Sequence, residues 1–354
     1  MFECDAVIVG AGILGLSTAY HIKNRHPTAR ILMVDKLGAA GQGNTAKAAA
    51  GFRCLFSSHT NFVLADSSVE FYIHLQEDLN IDLKLQRIGY LILLNEERYE
   101  ETLPILKRLT AKNLEYKEYD GEELAQKLGM QTNLKADAEA QLMGLGSVYK
   151  GIFAPKAGVV GADCIVKFYE NEFLRLGGEI EYGVKVEKVI VEPREPLGIP
   201  NEPFFWQDAR VSGVKTNKGL IKAKKTILAA GAWIPQLLDA VGIECHIKPK
   251  KRQLFPIEAK TSGLRQLLST KGFNSVGCLP FTFLPKPSVI IRPFPGEGVF
   301  WVGYSDDFPR AFKLEEDPQP EKNFYQYGVY QVLVKYFPQF RDCHPTSPFA
   351  GQYE

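Results

Sequence analysis

The first 35 residues leave few folds available. The apolar run Ala6–Val9 passes directly into Gly10-Ala11-Gly12-Ile13-Leu14-Gly15, and Leu16–Lys23 follows with apolar residues at helical spacing. A second apolar run, Ile31–Val34, ends in Asp35, 20 residues beyond Gly15. Strand, glycine turn, helix, strand and terminal acid, in that order, describe a βαβ unit. Each glycine has its own task. Gly10 makes the tight turn, Gly12 lets a pyrophosphate approach the backbone, and Gly15 lets helix and strand pack closely. The helix start offers unpaired N–H groups to an anion, and Asp35 stands where a ribose hydroxyl needs an acceptor. The pattern predicts a dinucleotide site built from Gly10, Gly12, Ile13, Leu14, Gly15, Asp35 and Lys36. The competing reading, in which the glycines serve packing alone, must treat Asp35 as coincidence. A carboxylate there repels a 2′-phosphate, which disfavours NADP and leaves NAD and FAD open.

The remaining bulk properties exclude rather than identify. A chain of 354 residues suggests about two domains, and 42 basic against 41 acidic side chains leave no surplus charge for a nucleic-acid backbone. No apolar run reaches the length of a membrane span, so a soluble protein in a cytoplasmic setting is expected. Cys4, Cys54, Cys164, Cys245, Cys278 and Cys343 form no C-x-x-C pair, and His59, His74 and His344 carry no ligand spacing. No metal site or disulfide framework is indicated.

Two further segments separate the cofactors. Gly41 to Arg53 is a run of small residues ending in Phe52 and Arg53, against which a bulky planar ring could lie. Far downstream, Thr226-Ile227-Leu228-Ala229-Ala230-Gly231-Ala232-Trp233 is another apolar strand ending in small residues, followed by helix-like Ile234–Val241. Together with the glycine unit, these segments resemble the FAD-dependent D-amino-acid oxidase and sarcosine/glycine oxidase superfamily. Asn44–Arg53 with Cys54-Leu55-Phe56-Ser57-Ser58, then Arg87-Ile88-Gly89-Tyr90-Leu91 and Glu202–Asp208, are most similar to archaeal dye-linked L-proline dehydrogenases. The resemblance implies bound FAD. It adds Gly43, Asn44, Thr45, Ala48, Ala49, Gly51, Phe52, Ala230, Gly231 and Trp233 to the cofactor site, with the backbone at Val186 against the adenine.

The expected architecture is α/β: a Rossmann-like FAD-binding domain from residues 1–85 and 150–242, interleaved with a mixed-sheet substrate domain from 86–149 and 243–345. Helices are expected near Asn61–Leu79, Glu96–Ala111 and Asp163–Leu176, with a polar stretch reaching Tyr149. Pro193–Pro203 carries too many prolines for a central strand and is expected to be a surface excursion within a hairpin. Val289–Pro293 and Val299–Tyr304 read as neighbouring strands.

Flavin chemistry asks the protein to hold a C–H bond over the ring and exclude water, without a strong base. An amino-acid carboxylate is best held by arginine's planar fork. By resemblance to sarcosine oxidases Arg53 is the first candidate; its bland alternative is a structural ion pair. Arg292, a charge amid Val289, Ile290 and Ile291, needs a partner if buried and is the second. Tyr90, Trp301 and Tyr304 would wall the pocket, unless they are plain core. In sarcosine oxidases a lysine linked to oxygen activation stands two residues before a Gly-Tyr pair. Here Trp301 precedes Gly303-Tyr304, which suggests electrons leave for a quinone, dye or electron-transfer protein. The resemblance further implies a C-terminal return to the FAD domain, of which residues 346–354 would be the start, so a partner chain or oligomer is a further expectation. The leading function is oxidation of a secondary amino acid such as L-proline. Sarcosine/glycine oxidase, hydroxy-acid or glycerol-3-phosphate dehydrogenase, and a non-catalytic flavoprotein subunit remain alternatives.

Overall fold

The computed structural model describes residues 2–56, 58–112, 114–306 and 311–353. Ser57 of the small-residue segment and Glu354 lie outside them. The chain is α/β with two large sheets. The first has six strands in the order Glu179–Tyr182, Ile31–Asp35, Phe2–Val9, Gly219–Leu228, Ala209–Thr216, Val186–Pro193. Its first four are mutually parallel, and the last two attach antiparallel. Parallel strands buried on both faces carry continuous apolar runs, as Ile31–Val34 does. Side chains alternate across the sheet. Ile8 joins Leu16, Ala19 and Phe173 under the helices Ile13–Arg25 and Ala162–Arg175, while Val7 and Val9 join Val34, Val214 and Ile221 on the other face.

The second sheet has eight strands: Phe349–Tyr353, Lys250–Glu258, Val299–Tyr304, Val289–Phe294, Phe281–Phe283, Tyr90–Leu94, Lys150–Ala154, Lys117–Asp120. One pair, Phe281–Phe283 with Tyr90–Leu94, is parallel; its other neighbours are antiparallel. Leu91, Leu93, Phe153, Ile291, Phe300 and Val302 point to one face, into a core with Tyr336 and Phe340. The residues between them face the other way, Ile152 against the helix Glu96–Ala111 and Tyr90 and Ile290 in a cluster with Ala49, a parity that decides the site below.

Several expectations shift. Lys150–Ala154, placed by sequence at the head of the returning nucleotide segment, pairs with Tyr90–Leu94 in the second sheet. Phe349–Tyr353, expected to begin the return to the FAD domain, is the second sheet's edge strand beside Lys250–Leu254 and also reaches the flavin loop, where Gln352 N–H donates to Asn44 Oδ1 at 2.9 Å. The stretch before Tyr149 holds strand Lys117–Asp120 and helices Gly121–Leu128 and Ala138–Leu142. Each is short, and Gly121–Leu128 buries only Leu124 and Leu128, too little periodicity to read. Gly161 rather than Asp163 stands at the N-cap of Ala162–Arg175. The proline-rich excursion joins the antiparallel strands Val186–Pro193 and Ala209–Thr216. The carboxylate of Glu202 organises it, accepting from the N–H groups of Leu197 and Ile199 and from Gln207 Nε2. No helix among the described residues is long and apolar enough to cross a membrane.

Candidate active site

At the strand–helix turn Gly10 has φ +108°, a conformation that disfavours any side chain, and a Cβ there would stand 2.5 Å from the Ala229 carbonyl oxygen. A Cβ on Gly15 would collide with the Gly10 carbonyl oxygen. Both glycines therefore hold the first helix against strands Phe2–Val9 and Gly219–Leu228. The Asp35 carboxylate ties this turn together, one oxygen accepting from Ala11 N–H at 2.7 Å and the other from Leu37 N–H at 2.8 Å. Each oxygen retains a second lone pair for a ribose hydroxyl. At the helix start Thr45 Oγ1 accepts from Ile13 N–H at 3.2 Å and would lie 3.3 Å from a Cβ on Gly12.

Around this turn lies a cavity of about 330 Å³. It gathers Gly10, Gly12, Ile13, Leu14, Asp35, Lys36, Gly43, Asn44, Thr45, Ala48, Val186, Ala230, Gly231 and Trp233 from five separate stretches of sequence. The residues fit FAD by their chemistry. Glycine backbone stands where a pyrophosphate must approach closely, and an acid stands at the second strand's end. The Trp233 indole walls the same cavity beside Lys36 and Glu316. Four expected residues do not line it. Gly15 packs helix on strand, Ala49 offers its carbonyl to Arg292, and Gly51 and Phe52 pair with Val159 and Gly158. Sequence reasoning missed Leu37, Val184, Gln236 and Glu316, which also line the cavity. Glu316 arrives from a loop with no motif, so no local signal marks it.

A second cavity, of about 700 Å³, shares Gly41, Thr45 and Ala48 with the first and is bounded by Arg292, Phe294 and Trp301. Sheet parity puts those residues there. Arg292 is directly opposite Trp301 on the neighbouring strand, and because Ile291, Phe300 and Val302 face the core, this pair faces away from it. Tyr90 shares that face but lines neither cavity, being packed against Phe281 and Phe283 at ring distances of 4.9 and 5.1 Å. Tyr304, two residues beyond Val302, falls on the core face and stacks on Phe324 at 6.1 Å, which removes it from the pocket wall.

Arg292 is 4% exposed, yet no carboxylate among the described residues pairs with it. Its Nη1 donates to the Ala49 carbonyl and its Nη2 to the Val160 carbonyl at 3.4 Å, while Nε has no partner. The guanidinium carbon lies 4.2 Å from the Phe294 ring and 5.2 Å from the Trp301 ring. Burial lowers its pKa to about 10, still far above neutral pH, so it is a charged donor with spare capacity. Arg53 lies on strand Gly51–Arg53, exposed, with its guanidinium 5.1 Å from the Phe56 ring, and lines neither cavity. Burial pushes the Tyr90 hydroxyl up to about 12, with Arg53 and Arg292 acting in the opposite sense. Tyr90 therefore stays protonated at neutral pH and is no base. Tyr90→Phe is expected to leave unchanged the shape of any pH profile for substrate-dependent flavin reduction between about pH 6 and 10. A limb that moved in stopped-flow measurements would make Tyr90 a titrating group.

Known proteins place this arrangement. Over 99% of the chain, and 72% of its own length, a Bos taurus FAD-dependent oxidoreductase domain-containing protein 1 is 35% identical. An Arthrobacter sarcosine oxidase subunit beta is 25% identical over 73% of this chain and 58% of its own. The chain spans about three fifths of the length of two of the curated relatives it matches. Among solved structures, an L-proline dehydrogenase from P. horikoshii has the same fold, with a TM-score of 0.75 and 19% identity over 99% of this chain and 82% of that one. The model of the DAO family, FAD dependent oxidoreductase, matches residues 5–353, and the chain belongs to that family, whose cofactor is FAD.

Proposed function

We propose that the protein is a dehydrogenase that oxidises a secondary amino acid, with L-proline as the best fit, and passes the electrons to a quinone, dye or electron-transfer protein. The observation that carries this reading is Arg292. A buried guanidinium with an unsatisfied Nε, beside an open cavity, lacks only an anion. A substrate carboxylate would complete its charge and its hydrogen bonds together. Held there, the substrate lies between the flavin loop at Ala48 and the aromatic faces of Phe294 and Trp301, which exclude water from its apolar side. Bound FAD supplies the hydride acceptor. Among the described residues no strong base stands on this face, so the amine has to arrive with its lone pair free. Trp301 puts an apolar ring where an oxidase would carry a cation, which supports an acceptor other than oxygen. Six free cysteines support a reducing, cytoplasmic setting.

The test is an absorbance spectrum of the flavin-loaded protein under anaerobic addition of L-proline, sarcosine and glycine. Bleaching by L-proline, with little hydrogen peroxide when air is admitted, is the expected result. Bleaching by sarcosine or glycine with rapid peroxide formation would replace the dehydrogenase with an oxidase. Flavin that no amine or hydroxy acid reduces would point to a non-catalytic subunit.

A further inference from the structure

Residues 311–321 cross from the second sheet to the nucleotide cavity and back. Near one end, Lys313 N–H donates to the Pro249 carbonyl at 3.2 Å and the Lys313 carbonyl accepts from Gln352 Nε2 at 3.2 Å. At the other, Glu321 N–H donates to Gln253 Oε1 at 2.6 Å, and Lys251 Nζ holds the Gln319 carbonyl at 3.3 Å. Between these ties the strap leaves its own sheet and meets the nucleotide domain twice. Glu316 pairs with Lys36 at 2.5 Å, and Asp317 pairs with Lys47 at 3.4 Å. Lys36 follows the ribose acid directly, and Lys47 lies on the flavin loop, so the two contacts bracket the dinucleotide cavity, which Glu316 itself lines. Lys36 also lies 4.1 Å from the centre of the Trp233 ring, and both line the cavity with Asp35. Burial works against ionisation of Glu316, but Lys36 and the Trp233 indole outweigh it and hold its carboxyl below the ordinary value. At neutral pH the pair is therefore an ion pair.

We propose that Glu316 and Asp317 form a cross-domain clasp that retains FAD, with Glu316 a positioning residue acting through Lys36 and Trp233. The dinucleotide leaves by breaking Lys36–Glu316 and lifting the strap. The inference rests on the assignment of the cavity to FAD, and is independent of the substrate. Because both partners are partly exposed, the clasp is worth what a solvent-screened ion pair and one cation–π contact are worth together, a modest retardation that salt weakens.

The experiment follows the rise in flavin fluorescence as FAD leaves the holoprotein on dilution. Glu316→Gln is expected to release FAD about two- to fivefold faster. Lys36→Met, which also loses the cation–π contact with Trp233, should release FAD at least as fast, and the double variant should be no faster than Lys36→Met alone, since it already lacks the ion pair. Raising salt should speed release from the wild type more than from Glu316→Gln, which keeps only the Asp317–Lys47 pair, a signature that general loosening of the fold would not produce. Equal apo-protein melting temperatures would confirm that the clasp acts on the cofactor. Unchanged release in Glu316→Gln, or additive effects in the double variant, would overturn the clasp. A wild-type protein that takes up no FAD would instead overturn the cavity assignment beneath it.

Discussion

Arg292→Met is expected to silence substrate-dependent flavin reduction while leaving the protein coloured and at least as stable. Removing one partner of a buried charge-assisted pair costs about 2–5 kcal/mol, so kcat/KM should fall on the order of 10²- to 10³-fold. The stability effect has the opposite sign. Without substrate the guanidinium has no carboxylate and an unsatisfied Nε, so its burial costs free energy that a thioether of similar length avoids. Anaerobic stopped-flow reduction and a thermal melt read the two effects separately. Arg53→Met is the control. If it abolished reduction and Arg292→Met did not, the carboxylate anchor would move to the exposed arginine of the small-residue strand.

Gly15→Ala is expected to give a colourless, poorly stable protein. The new Cβ would collide with the Gly10 carbonyl oxygen and stand 3.3 Å from Ala229 Cβ. The helix cannot back away without unseating Leu16 and Ala19, both fully buried under it. Overpacking of this kind costs about 1–3 kcal/mol or more, and it displaces the turn that must meet the pyrophosphate. Gly12→Ala should differ in kind. Its nearest neighbour is the Thr45 hydroxyl at 3.3 Å, a side chain that can move, so the fold should survive while FAD binds less well. Flavin content after purification and the melting temperature distinguish the two. Equal behaviour of the variants would mean that Gly15 carries no special packing role.

The nucleotide site was legible because most of its information is local. Strand, turn, helix and acid fall within residues 6–35, and every piece has a spacing that chemistry dictates. Arg292 was half legible. A charge in an apolar strand announces that something must answer it, but only pairing with Val299–Tyr304 reveals that Arg292 and Trp301 turn away from the core while Tyr304 turns into it. The proposed order of the two arginines also differs from the one the sequence suggests, since a position at the end of a small-residue run does not announce its own exposure. Glu316 was not legible at all. It belongs to a segment without periodicity, and its partner Lys36 is 280 residues away, a distance that no window of sequence spans.

The same remoteness governs how the molecule is made. Strand Phe2–Val9 lies between Ile31–Asp35 and Gly219–Leu228, and its partner on the second side begins more than two hundred residues later, with Phe2 opposite Ile221. At about 5–20 residues per second, a ribosome takes roughly 10–45 s to supply that partner. Throughout that interval the first strand, with Val7 and Ile8 destined for full burial, has one open edge and an uncovered apolar surface. The glycine turn cannot close on Ala229 before then either, so FAD has no finished site during synthesis. A nascent chain of this design keeps its first strand exposed until late in synthesis, and it completes its cofactor site only after most of the polypeptide exists.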